Sequence, residues 1–220
     1  MPGERFINMD YFYENNMETA GFSPCCGIDE AGRGPLAGPV CAAAVILPKG
    51  LVIDGLNDSK KLSPKKREKL FDIIKNEAVA YGVGWASETE IDKYNILQAT
   101  FAAMRRAAEK LGNAPESAIV DGNRDPQLGL PTLCIVGGDG KSPSIAAASI
   151  LAKTARDAWM RQLDLQYPGY GFAQHKGYGT RQHQEALDRL GVCSLHRRTF
   201  RPIVARLDQG QGRETRSSHG

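Results

Sequence analysis

Two apolar runs near the start of the chain lie so close together that they decide what kind of sheet it forms. One spans residues 24–28 and ends in Gly27-Ile28; the other, residues 40–47, reads VCAAAVIL. Each has the length and composition of a buried strand. The link between them holds Gly32, Gly34, Pro35, Gly38 and Pro39, all turn formers, and is too short for a helical crossover. The pair must therefore be an antiparallel hairpin. Further on, Ala80–Ala86, Ser117–Val120 and Leu130–Val136 read as three more strands.

Helical patterns separate these strands. Ser63-Pro64 caps a helix carrying Leu70, Phe71, Ile73, Ile74 and Ala78. Ser87 and Glu90 have capping-box spacing before a helix with Ile91, Tyr94, Leu97, Phe101, Met104 and Leu111 on one broad side, closed by Gly112. Ser142-Pro143 opens an alanine-rich helix to about Gln166, which Pro168-Gly169 stops, and Thr180 caps a last helix to Leu190-Gly191. A hairpin followed by alternating helices and strands describes an α/β domain with a central mixed five-stranded sheet flanked by helices. Residues 1–22 read as a weakly ordered lead-in or a helix that packs late. The main domain covers 23–207, and 208–220 is polar and reads as a disordered tail.

At 220 residues the chain buries roughly 70% of its extended surface if it is one domain. No apolar stretch is long enough to span a membrane. Met1-Pro2-Gly3-Glu4-Arg5-Phe6 lacks the basic-then-apolar order of a secretory signal, so a cytoplasmic location is expected. The five cysteines form no CxxC pair and are odd in number, which fits a reducing compartment. Cys25, Cys41 and Cys134, in strand-like runs, are expected to be small buried side chains. The net charge of +3 tolerates nucleic acid without demonstrating it.

The acidic residues carry the chemistry. Asp29, Asp121 and Asp139 each follow an apolar run and precede or lie close to glycine, and strand ends are where α/β sheets build ligand sites. If the strands before them are parallel neighbours, the carboxylates gather at one edge. Glu30 adds a fourth only if the strand ends or bends there, because neighbouring strand residues point to opposite faces. Four converging carboxylates raise one another's pKa unless a cation relieves them. Magnesium or manganese does so, and two ions about 3.5–4 Å apart bridge a phosphodiester. With no histidine or cysteine in the group, zinc is disfavoured. Taken singly, each aspartate is equally a turn former.

Around these lie groups suited to nucleic acid. Gly32-Arg33-Gly34 brings backbone donors and a guanidinium toward a phosphate backbone, although Arg33 alone is equally an ordinary surface residue. Lys60 and Lys61 fit phosphate contacts or a solvated charge run. The loop 167–180, YPGYGFAQHKGYGT, offers Tyr170, Phe172 and Tyr178 as stacking platforms or as loop packing. His183 falls inside a helix and reads as structural; His196, beside two arginines, is a loop brace or a phosphate contact.

The order of the motifs resembles one family. GIDEAGRGPLAGPV at 27–40, NDSKKLS at 57–63, ASETEID at 86–92, VDGN at 120–123, SIAAASILAKTARD at 144–157, YPGYGFAQHKGYGT at 167–180 and HRRTF at 196–200 are similar to those of bacterial type 2 ribonucleases H. The resemblance covers about residues 26–202 and implies a ribonuclease H-like fold with a C-terminal helical substrate-binding region. It implies Asp29, Glu30, Asp121 and Asp139 as catalytic and metal-binding carboxylates for magnesium or manganese. The implied reaction is cleavage on the 5′ side of a ribonucleotide in an RNA–DNA hybrid or embedded in duplex DNA. It leaves 3′-hydroxyl and 5′-phosphate ends and initiates ribonucleotide removal. Gly32, Arg33 and Gly34 are implied to read the ribonucleotide and its junction with DNA, Tyr178 to pack on the neighbouring deoxyribose, and Lys60 and Lys61 to lie near phosphates.

The family commonly has Lys-Gly-Asp where this chain has Gly137-Gly138-Asp139, so any electrostatic help from that lysine is absent, with Lys141 a candidate to compensate. Two rivals remain: a type 3 enzyme preferring longer ribonucleotide stretches, and a noncatalytic nucleic-acid-binding protein. Type 3 proteins usually carry an added N-terminal domain, for which the residues before Asp29 leave little room. A monomer is expected, with room for a replication-associated protein partner.

Overall fold

The computed structural model describes residues 9–112 and 115–208. The expected disordered tail therefore lies outside the described residues, apart from residue 208, which ends a helical stretch over 201–208. Backbone contacts divide the chain into two compact units whose segments alternate along the sequence. The first comprises the chain up to Ala31, Cys41–Trp85 and Thr100–Ala155; the second comprises Gly32–Val40, Ala86–Ala99 and the chain from Arg156 onward.

The first unit holds the sheet. Its strands are β1 (Cys25–Ala31), β2 (Val40–Ile46), β3 (Ala80–Ala86), β4 (Ser117–Asp121) and β5 (Thr132–Ile135), in the order β3-β2-β1-β4-β5. The hairpin is present: β1 pairs antiparallel with β2, while β1–β4 and β4–β5 are parallel. β2 is buried along its whole length. Its alternate residues Cys41, Ala43 and Val45 pack with Ala147, Ala148 and Leu151 of helix α4 (Pro143–Gln166) and with Leu70 and Ile74 of α2 (Pro64–Glu77). Small side chains on both sides let α4 lie close to the sheet. At Gly27 the approach leaves no room for a side chain, since a Cβ there would sit 2.3 Å from the Ser144 carbonyl carbon.

Register then decides which face each acidic residue occupies. Gly27 lies on the α4 face, so Asp29, two positions on and paired with Ala43, shares it. Ile119 pairs with Gly27, which puts Asp121 on the same face. β1 is longer than expected: it runs three residues past Ile28, so Asp29 and Glu30 lie within the strand rather than at a bend beyond it. On the β4 side, however, the ladder stops at Ile28↔Val120.

The helix expected from Ser87 to Gly112 is also corrected. α3 (Glu88–Glu109) is interrupted at Asn95, whose φ of 68° is not helical. The Asn95 carboxamide oxygen accepts from the Leu97 and Gln98 main-chain N–H groups at 3.0 and 3.2 Å, capping a second helical segment. Tyr94, just before the break, is exposed rather than part of a continuous apolar side. Cys25 and Cys134 are half-buried instead of buried, whereas Cys26 and Cys41 are fully enclosed, and all five cysteines are thiols.

The second unit packs Met160, Leu163, Tyr170, Phe172, Ala186 and Leu195 into its own core. It includes α5 (Phe172–His175) and α6 (Arg181–Leu190).

Within the lead-in, residues 12–19 form α1 (Phe12–Thr19), and one buried carboxylate ties it down. Glu14 accepts from Ser142 Oγ at 2.7 Å, from the Ser144 N–H at 3.2 Å and from Ser144 Oγ. It supplies the N-terminus of α4 with an acceptor and a negative charge from a distant part of the chain. Replacing Glu14 with alanine strands buried hydroxyls and should cost about 2 kcal/mol. A lowered urea midpoint at unchanged slope is the expected readout.

Candidate active site

Strand ends and a turn bring three carboxylates together. Asp29 on β1, Asp121 at the end of β4 and Asp139 in a 3-10 turn (Gly138–Gly140) each place a carboxylate oxygen within 4.8 Å of the others. Among the described residues this is the one group of three or more side chains with such metal-ligating geometry. Glu30 stands outside that group, half-buried, although its charge acts on Asp29.

Asp29 is 3% exposed. Burial pushes its carboxyl well above the ordinary range, and the charges of Glu30 and Asp121 push the same way. Ser149 of α4 and the Glu30 N–H, 2.7 Å from Asp29 Oδ1, oppose this by hydrogen bonding to the ionised form. Asp121 is also raised, first by burial. The Gly138 N–H, 2.7 Å from Asp121 Oδ1, pulls it back and ties β4 to the turn that carries Asp139.

Lys60 serves the group directly. Lys60 Nζ lies 3.3 Å from Asp139 Oδ2; Asp139 and Asp29 raise the ammonium's pKa against the effect of burial. The sequence Asp58-Ser59-Lys60-Lys61 builds this arrangement locally. Asp58 caps a 3-10 turn by accepting from the Lys60 N–H at 2.9 Å, and Ser59 Oγ meets Ser149 Oγ at 2.8 Å. Lys61 turns away, 3.9 Å from Asp58. Lys141 does not stand in for the family lysine at 137: its ammonium donates to the Val136 carbonyl at 2.6 Å. Lys60 is therefore the lysine beside Asp139.

The other expected contact residues lie in the second unit, and two buried arginines hold them. Arg197 donates to the carbonyls of Gly32 (2.6 Å), Arg33 (2.9 Å) and Gly38 (2.7 and 2.9 Å). Arg156 donates to Pro39, Lys176 and Ala37 at 2.9, 3.0 and 3.3 Å. The two guanidiniums thus reach the carbonyls of Gly32, Arg33, Ala37, Gly38 and Pro39 in this loop, while Arg33 and Gly34 are exposed. Gly32, at φ +100°, admits no other residue: a Cβ would lie 2.0 Å from Arg156 Nε. A Cβ on Gly34 would sit 3.6 Å from Tyr178 Cε1, which places the 44%-exposed Tyr178 ring beside that glycine. Tyr170 and Phe172 stack on each other within the core instead.

Sequence reasoning did not single out Arg156, Arg197, Ser59 or Ser149. All four lie within or beside the motifs at 57–63, 144–157 and 196–200, but only their burial and distant partners give them roles.

All the clustered donors are carboxylate oxygens, the set that hard divalent cations take. Their mutual repulsion without such a cation is the physical fit between group and ion. In metal-free protein, Asp29→Asn removes a buried carboxyl whose ionisation burial, Glu30 and Asp121 all oppose, and should raise the melting temperature by roughly 2–4 °C, the shift about 1 kcal/mol produces at this size. Added divalent metal should stabilise the parent more than the variant in the same melting experiment.

Comparison with known proteins places this geometry. Residues 26–203 match the family model for ribonuclease HII. The ribonuclease HII of Moorella thermoacetica is 55% identical over 191 residues, covering 87% of this chain and 93% of that protein. The ribonuclease H2 of Pyrococcus horikoshii superposes with a TM-score of 0.72 at 26% identity, covering 85% of this chain and 98% of the other. A solved PCNA:RNase HII complex from Archaeoglobus fulgidus contains a chain matching at TM-score 0.66 and 28% identity, with 79% and 91% covered. With its ribonuclease H-like sheet and its cluster of aspartates, the chain belongs to the ribonuclease HII family, metal-dependent endoribonucleases that act on RNA–DNA hybrids and on ribonucleotides within duplex DNA.

Proposed function

We propose that Asp29, Asp121 and Asp139 hold magnesium or manganese for hydrolysis on the 5′ side of a ribonucleotide, leaving 3′-hydroxyl and 5′-phosphate ends. The observation that carries this is the convergence of the three carboxylates with Lys60 against Asp139. Two bound ions would supply an activated water and neutralise charge at the scissile phosphate. The residues themselves set the geometry. Ser149 and the Glu30 N–H orient Asp29, and the Gly138 N–H orients Asp121. Glu30 joins from the part of β1 beyond its last rung with β4.

Lys60 balances Asp139 until substrate arrives and then faces phosphate, with Lys61 as a second phosphate contact. Gly32, Arg33 and Gly34 read the 2′-hydroxyl and the junction, since a 2′-hydroxyl both donates and accepts. Tyr178 packs on the adjacent deoxyribose. The enzyme works as a cytoplasmic monomer that starts ribonucleotide removal. A replication-associated clamp is its candidate partner, by analogy with the Archaeoglobus fulgidus complex.

Purified protein should nick a duplex carrying one ribonucleotide when magnesium or manganese is present, and cut it more readily than its preference for long RNA–DNA hybrids would allow in a type 3 enzyme. A folded protein that nicks in neither metal sinks the assignment. Asp121→Asn and Asp139→Asn should each slow turnover by roughly 100-fold or more, the scale of losing one electrostatic stabiliser, while duplex binding is retained. Arg33→Ala should chiefly reduce preference for the junction in the same assay.

A further inference from the structure

Behind Tyr178 the second unit buries three histidines whose hydrogen bonds form an ordered series. His183 Nδ1 lies 2.9 Å from the Tyr178 carbonyl oxygen, and its Nε2 lies 3.1 Å from His196 Nε2. The carbonyl can only accept, so His183 carries its proton on Nδ1. In the neutral ring Nε2 is then an acceptor, which requires His196 to donate from Nε2. His196 Nδ1 is left to accept, and the Cys193 N–H at 3.0 Å and Cys193 Sγ at 3.1 Å supply donors, while the Cys193 carbonyl oxygen lies farther from the same nitrogen, at 3.3 Å.

His175 is fixed as well. Its Nε2 lies 2.8 Å from the Tyr170 carbonyl, and its Nδ1 accepts from the Gly177 N–H at 3.2 Å. Its ring stacks on His183 at 4.4 Å, and Phe172 meets His183 edge-on at 5.6 Å. Burial pushes both His183 and His196 down to about 4, with the neighbouring imidazoles and Arg206 acting in the same direction. The rings are therefore neutral at neutral pH. The Tyr178 carbonyl also accepts from the Thr180 N–H at 2.8 Å, and the Tyr178 N–H donates to the His175 carbonyl at 2.9 Å. The main chain at Tyr178 is thus held from both sides.

We infer that His183, its tautomer set by His196 and Cys193, is a positioning residue for Tyr178: it fixes the main chain so that the exposed tyrosine ring is presented to the sugar. This rests on the reading of Tyr178 as the sugar-contacting residue. Neutral histidines suit the task because each gives one donor and one acceptor in fixed directions, so a series of them has a single neutral arrangement.

Two measurements test this. Nitrogen-15 NMR of the histidine rings near pH 7 should show His183 protonated at Nδ1 and His196 at Nε2. A His183 protonated only at Nε2 overturns the inference, and this readout holds whether or not the protein cuts nucleic acid. In nicking assays on a single-ribonucleotide duplex, His183→Leu should lower kcat/KM about tenfold, the effect of about one net hydrogen bond, mainly through KM. His183→Asn keeps a donor at the Nδ1 position and should recover activity to within about threefold. In a Tyr178→Ala background, His183→Leu should add almost nothing. An equal loss in both backgrounds, or no recovery by His183→Asn with its fold intact, shows that His183 does not act through Tyr178. Failure of the parent enzyme to nick would count against the functional reading, leaving the tautomers to decide whether His183 holds the Tyr178 main chain.

Discussion

Three carboxylates within 4.8 Å of one another repel, and much of the first unit can be understood as what keeps them there. Each is restrained by a different device. Asp29 is held by sheet register and by a serine from α4, Asp121 by a main-chain N–H of the following turn, and Asp139 by an ammonium from a capped turn. The shared α4 face follows from the β1–β4 pairing, and α4 reaches that face because β1 has a glycine and β2 has alanines beneath it. Folding thus accumulates negative charge at a place that divalent cations can neutralise. The energy opposing assembly becomes part of the affinity for metal.

The portions of this architecture that depend on short-range rules were legible in the sequence. The length of the link between the first strands required a hairpin, and Ser63, Ser87 and Thr180 marked helix starts through their side chains. The three aspartates announced themselves by recurring after apolar runs. Asn95 was not singled out, because the apolar periodicity across it reads as unbroken and its capping role shows only in the fold. The end of β1 was misjudged because charged residues look like a strand's end, whereas pairing with β2 carries the strand through them.

Long-range pairings left no such trace. Glu14 meets Ser144 across 130 positions and Arg197 meets Gly32 across 165. A lysine sequence distinguishes neither Lys60, which faces Asp139, nor Lys61, which faces Asp58. Lys141 was the nearer guess to replace the family lysine at 137, and geometry rather than proximity in sequence ruled it out. A buried arginine is equally hard to anticipate, since composition places arginine outside. Its burial becomes intelligible only when several carbonyls are found waiting for its donors.

Gly32 shows what such packing means for change over generations or at the bench. Its missing side chain is the space that Arg156 occupies, so the residue is constrained from inside the protein, independently of any nucleic acid outside. A selection scheme seeking an altered sugar preference would find this position closed, since exchanging the arginine frees the space but leaves a positive φ that only glycine adopts readily. Single steps at its exposed neighbours Arg33 and Gly34, where a side chain meets ordinary space, are the accessible route to a different specificity.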